Sequence, residues 1–244
     1  RCQPNSQHPV YNWLKNKQIC LLCDESTDGS SAICTNCEAE LPWLQDSCQV
    51  CALPLPMQGL TCAQCSRRAP AFYRVEAPWH YGFPLDALIS RFKYNSQWPL
   101  GRLLAQLLGR WLVHRYSEGL PRPALLLPVP LSPQRLRQRG YNQAAMLVHW
   151  LTEATGIACN DHSLKRLLDT PAQQGLTARA RKRNLLQAFA VQGSEALEGR
   201  HLALVDDVLT TGATAQALAS LLLKAGARRV DVYCLARTAK PGSA

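Results

Sequence analysis

The chain has 244 residues with 47% apolar and 18% charged side chains, the balance of a globular protein with a real core rather than of a low-complexity polymer. No apolar run reaches the ~18 residues that cross a bilayer, and the first ten residues, RCQPNSQHPV, lack the apolar stretch of a secretory signal, so a cytoplasmic protein without a membrane span is expected. The formal charge of +10 is uneven: residues 1–75 hold six basic and six acidic side chains, whereas residues 76–244 hold 21 and 11. Such a field on the larger part favours phosphates, pyrophosphate or nucleic acid, although a merely solvated basic surface gives the same count.

Composition divides the chain near residue 70. Residues 1–15 read as a tail. Residues 16–70 are Cys-rich and broken by Pro and Gly, and residues 71–244 carry the longer apolar segments. Eight of the 11 cysteines form four Cys-x-x-Cys pairs, Cys20/Cys23, Cys34/Cys37, Cys48/Cys51 and Cys62/Cys65, repeating every 14 residues. With no sign of export the pattern reads as metal ligation rather than as disulfides or redox dithiols. Each pair sets two thiolates on one side of a tight turn, and two pairs together make one cysteine knuckle, a tetrahedral zinc site with S–Zn distances of about 2.3 Å. Closed four-thiolate shells leave no open position, so two structural Zn²⁺ ions are expected. The sites are taken in sequence, the first two pairs and then the last two, rather than cross-braced. So small a module draws much of its stability from the metal. Cys159 and Cys234 read as small buried apolar residues.

Beyond residue 70, residues 85–94 and 100–116 have apolar side chains at helical spacing, with a break at Pro99. Residues 124–127 form a short apolar strand stopped by Pro128 and Pro130. Residues 141–155 read as a helix, 163–168 as a strand, and 177–186 as a polar, basic segment. Residues 201–205 are a buried strand, 212–225 a helix ended by Gly226, and 229–235 a last strand. Alternating strands and helices predict an α/β domain with a mostly parallel sheet flanked by helices.

The strand at 202–205 leads into Asp206 and Asp207, then into Thr210, Thr211, Gly212, Ala213 and Thr214 at a helix start. Ligands of open α/β sheets bind beyond the carboxyl ends of strands. A helix N-terminus offers free N–H groups and a positive dipole to a phosphate. Gly212 permits close backbone approach, the threonines add hydroxyl donors, and the two acids suit vicinal sugar hydroxyls. An ordinary capped turn needs no such set, and the P-loop pattern G-x-x-x-x-G-K-[ST] is absent.

Four apolar residues, two acids and TTGAT resemble the phosphoribosyl pyrophosphate (PRPP) signature of type I phosphoribosyltransferases. The resemblance implies that Asp206 and Asp207 take the ribose 2′- and 3′-hydroxyls and that residues 210–214 take the 5-phosphate. A narrower resemblance covers nearly the whole chain: a double zinc ribbon before this domain, with FKY at 92–94, PVPLSPQRLRQRGYNQA at 128–144 and PAQQGLTARARKRNLLQAF at 171–189. This pattern is similar to the ComF family, whose members are linked to natural transformation or to use of external DNA. It implies a type I phosphoribosyltransferase-like fold behind the ribbon.

Arg135, Arg137 and Arg139 read as a loop after a buried strand, where guanidinium forks suit pyrophosphate; a solvated basic turn is the plainer reading. Lys93 either reaches phosphate or is an exposed helix lysine. Arg179, Arg181, Lys182 and Arg183 form a second cluster, open between a helix face, a lid over PRPP and a DNA contact. None of the six histidines is assigned a role.

Three functions follow. The chain is a PRPP-binding protein of DNA uptake, with single-stranded DNA and uptake proteins as partners. Alternatively it is an active phosphoribosyltransferase that moves ribose 5-phosphate from PRPP, with Mg²⁺, to a nitrogenous acceptor. A plain transcription-type zinc ribbon is a third reading, which the complete PRPP motif opposes.

Overall fold

The computed structural model describes residues 18–27, 31–57, 59–168 and 184–239. They fall into two compact units that divide between Leu41 and Pro42. The smaller unit carries the first two cysteine pairs and a short helix α1 (Thr35–Ala39). The larger carries the last two pairs, with α2 (Ala63–Arg67) behind Cys62, and everything that follows.

The larger unit is built on a parallel sheet. Its strands are β1 (Val75–Glu76), β2 (Trp79–His80), β3 (Leu125–Pro128), β6 (His201–Leu209) and β7 (Arg229–Arg237). The order is β1-β7-β6-β3, with β2 also on β7, and every pairing is parallel. Strands β4 (Leu164–Arg166) and β5 (Phe189–Val191) form a separate antiparallel pair. The helices are α3 (Leu85–Tyr94), α4 (Trp98–Ser117), α5 (Pro133–Arg139), α6 (Gln143–Thr155) and α7 (Ala213–Lys224). Pro99 does not lie in a gap between helices: it occupies the first turn of α4, where its missing N–H has no intrahelical partner to lose.

Helices α4 and α6 pack together and cover one face of the sheet. They touch at Gly109, where a Cβ would lie 2.5 Å from that of Ala154. On the other face, Leu125, Leu127, Leu202, Leu204, Val230, Val232 and Cys234 share one apolar cluster with α7 residues Ala215, Leu218 and Leu222. Cys48, Cys51, Leu53 and Cys62 belong to this same cluster, so the second cysteine knuckle is part of the sheet's own core. Cys234 is buried, as expected, whereas Cys159 is only half-buried.

His201 opens β6 and Asp231 is the third residue of the adjacent β7; both are buried. Nε2 of His201 lies 2.9 Å from Asp231, which also accepts two 2.9 Å bonds from Arg229. This network ties the amino-terminal edge of the sheet, the end opposite the loop described next.

Candidate ligand and metal sites

The acid pair sits inside a strand rather than after it. β6 continues through Asp206 and Asp207 to Leu209 because β7 runs beside it that far, pairing Asp206 with Cys234 and Leu209 with Arg237. On its other side β6 loses its partner earlier, since β3 ends at Pro128 opposite Val205. β6 therefore extends past β3 at the carboxyl end of the sheet, the usual ligand position of an open parallel sheet. Alternation along the strand sends the two acids to opposite faces. Asp206 shares the face of Cys234. Asp207 faces the α3 side, where Lys93 Nζ meets its Oδ1 at 2.8 Å. Lys93 is thus not an exposed helix lysine: little of its side chain reaches solvent. Burial, and then the charge of Asp207, push the Asp206 carboxyl up to about 7.

After β6 the chain turns through Thr210–Gly212 into α7. Gly212 caps the helix with φ +74°, a backbone conformation that suits glycine and strains a side chain. The Thr211 hydroxyl accepts from the Ala213 amide at 3.3 Å. Thr210, Thr211 and Ala213 are exposed, and Gly212 and Thr214 are half-buried, so the turn is open to a ligand.

Arg135, Arg137 and Arg139 lie on the short helix α5 and not in a loop. Its signals are in the sequence: the Ser132 hydroxyl caps the Arg135 amide, Pro133 occupies the first turn, and Gly140 closes the helix with φ +78°. Helical spacing sets Arg135 and Arg139 on one face and Arg137 away from them. Arg139 donates to Gln143 Oε1 at 2.9 Å and to the Tyr94 hydroxyl at 3.2 Å, and it stacks on the Tyr94 ring.

The segments 92–94 and 139–143 are stitched together residue by residue. Tyr141 donates its hydroxyl to the Phe92 carbonyl. The Gln143 amide donates to the Lys93 carbonyl at 3.4 Å, and Arg139 holds Tyr94. Asn142 caps α6 through the Ala144 amide and donates to the Val129 carbonyl. These bonds fix the end of α3 and so place Lys93 over Asp207. The sequence marked this stretch without revealing what Tyr94, Tyr141, Asn142 and Gln143 do. Arg179, Arg181, Lys182 and Arg183 lie outside the described residues.

The eight knuckle cysteines converge in two sequential groups: Cys20, Cys23, Cys34 and Cys37, then Cys48, Cys51, Cys62 and Cys65. Within each, all sulfurs lie within 4.8 Å of one another. The Cys23–Cys34 and Cys51–Cys62 sulfur pairs are each 3.7 Å apart, close to the ~3.8 Å edge of a tetrahedron with 2.3 Å Zn–S bonds. Backbone amides point at the sulfurs: Leu22 at Cys20, Cys37 at Cys34 and Cys62 at Cys48. Both groups fit a structural zinc ion.

Arg237 is the last residue of β7, and no motif of the sequence marks it. Its buried side chain donates from Nε to the Cys51 carbonyl at 2.9 Å. Its Nη1 donates to the carbonyls of Leu209 at 3.0 Å, of Thr210, and of Thr238 at 2.8 Å.

Residues 13–66 match the family model described as a double zinc ribbon domain. The DNA utilization protein YhgH of Salmonella typhi is 36% identical over 226 residues, covering 92% of each chain. Competence protein F of Haemophilus influenzae is 38% identical over 180 residues, covering 72% of this chain and 78% of that protein. Among solved structures, a glutamine PRPP amidotransferase from B. subtilis is similar over 55% of this chain and 25% of that one, at 19% identity and a TM-score of 0.37. With zinc knuckles, a parallel α/β sheet and relatives of this identity along nearly its full length, the chain belongs to the ComF/YhgH family of competence and DNA-utilization proteins.

Proposed function

We propose that the carboxyl end of β6, with the turn that follows it, binds PRPP and that the protein serves DNA utilization as a phosphoribosyltransferase-like PRPP binder. The observation that carries this reading is the convergence of Lys93 on Asp207 beside an exposed, glycine-led turn into α7. The ribose hydroxyls fall to Asp206 and Asp207, and the 5-phosphate to residues 210–214 at the helix N-terminus. Arg135 and Arg139 on α5, with Lys93, suit the pyrophosphate, since guanidinium forks bind phosphate oxygens in pairs. Mg²⁺ would accompany PRPP, held mainly by its oxygens and water. Zinc remains structural in both knuckles. The names of the relatives support a role in the handling of DNA; single-stranded DNA and uptake proteins are the partners we propose, and the cytoplasm the location.

A second reading is turnover, with transfer of the phosphoribosyl group to a nitrogenous acceptor. The arginine helix beside the acid pair favours it, because departing pyrophosphate needs a positive cradle. Isothermal titration with PRPP and Mg²⁺ tests the first reading. Wild type should bind and Asp206→Asn/Asp207→Asn should not; no heat with wild type would remove it. Pyrophosphate release with a panel of nitrogenous bases then separates an enzyme from a binder.

A further inference from the structure

The second cysteine knuckle and the phosphate turn are far apart in sequence, yet one side chain joins them. Arg237 holds the carbonyl of Cys51, itself a knuckle cysteine, through Nε, and the carbonyls of Leu209 and Thr210 through Nη1. Leu209 and Thr210 are the residues that lead into the turn. A second tie runs in parallel: the amide of Ala71, in the link behind the knuckle, donates to Gln216 Oε1 in α7 at 2.7 Å. Buried Phe72 then lies beneath the turn, with its ring 4.0 Å from where a Gly212 Cβ would stand. Between knuckle and turn lies a cleft of about 290 Å³ whose walls include Gln64, Arg68, Phe72, Thr211 and Gly212. The Cys51 and Thr210 carbonyls are held by different nitrogens of one rigid planar fork. A lysine ammonium is a single point donor on a flexible stem and does not reproduce that span.

We propose that Arg237 is a positioning residue that makes the geometry of the phosphate turn depend on the metal-loaded second knuckle. Thiolate ligation by Cys48, Cys51, Cys62 and Cys65 fixes the knuckle backbone. Arg237 transmits that position to Thr210, and the turn then presents its amides to the phosphate. The ligand is PRPP as proposed above, so the inference rests on that reading. Coupling between two sites is reciprocal: if the loaded knuckle favours phosphate binding, phosphate binding must favour the loaded knuckle.

Zinc release to a chromogenic chelator, with and without PRPP and Mg²⁺, tests this on the full-length wild-type protein. PRPP should slow release of one zinc per chain by about tenfold and leave the other unchanged, a coupling of ordinary size. Arg237→Lys, holding two zinc ions by elemental analysis, should bind PRPP about tenfold more weakly and lose the protection. Equal release of both zinc ions by PRPP-bound and free wild type overturns the inference even if Arg237→Lys does not fold. Unchanged PRPP affinity in a folded Arg237→Lys overturns it equally. Failure of wild type to bind PRPP in the titration removes the ligand itself and is read separately.

Discussion

Nζ of Lys93 lies 2.8 Å from Oδ1 of Asp207, with both side chains largely withdrawn from water. The pair joins the end of α3 to the end of β6 and neutralises one of the two acids there. Removing the lysine leaves a buried carboxylate without its partner, a loss of about 1.5–3 kcal/mol for a charge-assisted bond. Lys93→Met is therefore expected to lower the unfolding free energy by that order and PRPP affinity by about tenfold or more. Urea titration and calorimetric titration check the two effects. Unchanged PRPP affinity would take Lys93 out of the ligand site.

The acid beside it gives a pH signature. Asp206 is pushed up to about 7, first by burial and then by Asp207, whereas an aspartate in an unfolded chain titrates near 3.9. The native state thus holds the proton more tightly. Its contribution to stability is full below about pH 4 and is lost as pH rises towards 7. Asp206→Asn stays neutral throughout. The stability of Asp206→Asn relative to wild type should therefore be greater at pH 8 than at pH 5, read from urea midpoints. The knuckle thiolates are common to both proteins and drop out of the difference. A pH-independent difference would mean that Asp206 is ionised across this range.

Two glycines separate packing from positioning. A Cβ on Gly101 would lie 2.4 Å from the Phe92 ring, and one on Gly109 would lie 2.5 Å from the Ala154 Cβ. Both substitutions overpack the helical layer, at about 1–3 kcal/mol each. Only Gly101 presses on the residue before Lys93. Gly101→Ala should lose stability and PRPP affinity together, and Gly109→Ala stability alone. Thermal melts and titration of both variants decide it; equal loss of affinity would assign the effect to general loosening.

Residues 85–94 were legible to the residue because apolar spacing and flanking turns agree over ten positions. Strands β1 and β2 were not, because two residues each carry no period. The paired length of β6 was also hidden: its last residues are strand because β7 lies alongside, which local sequence does not record. The arginines of α5 follow a strand in a run with one apolar residue, so no apolar period marks a helix there; only Ser132, Pro133 and Gly140 spell the short helix. Both cysteine sets were legible, being local in spacing. The contacts of Lys93 with Asp207 and of Arg237 with Cys51 join segments far apart in sequence, and no local pattern carries them.

The second knuckle lies in the main core, whereas the first belongs to its own compact unit. Loss of its metal should therefore unsettle the sheet. Cys62→Ser is expected to retain one zinc per chain and to lower the main melting transition by more than about 5 °C. Cys34→Ser should also retain one zinc and leave that transition nearly in place. Elemental analysis with scanning calorimetry checks both; a main transition equally lowered by Cys34→Ser would contradict this division.

The arginines of α5 provide the sharpest test of the pyrophosphate assignment. Arg139 is held against Tyr94 and Gln143, so its guanidinium is already ordered and loses little freedom on meeting a phosphate. Arg135 shares its helical face, and Arg137 does not. Exposed arginines on the wrong face act only through screened long-range attraction. Arg139→Ala should weaken PRPP binding by about tenfold or more, Arg135→Ala by less, and Arg137→Ala by no more than about twofold. The same three variants titrated with ribose 5-phosphate should show a much flatter series, because that ligand lacks the pyrophosphate. If the three variants rank equally with PRPP, the helix contributes only diffuse charge; if the series is as steep with ribose 5-phosphate, the arginines serve the 5-phosphate end instead.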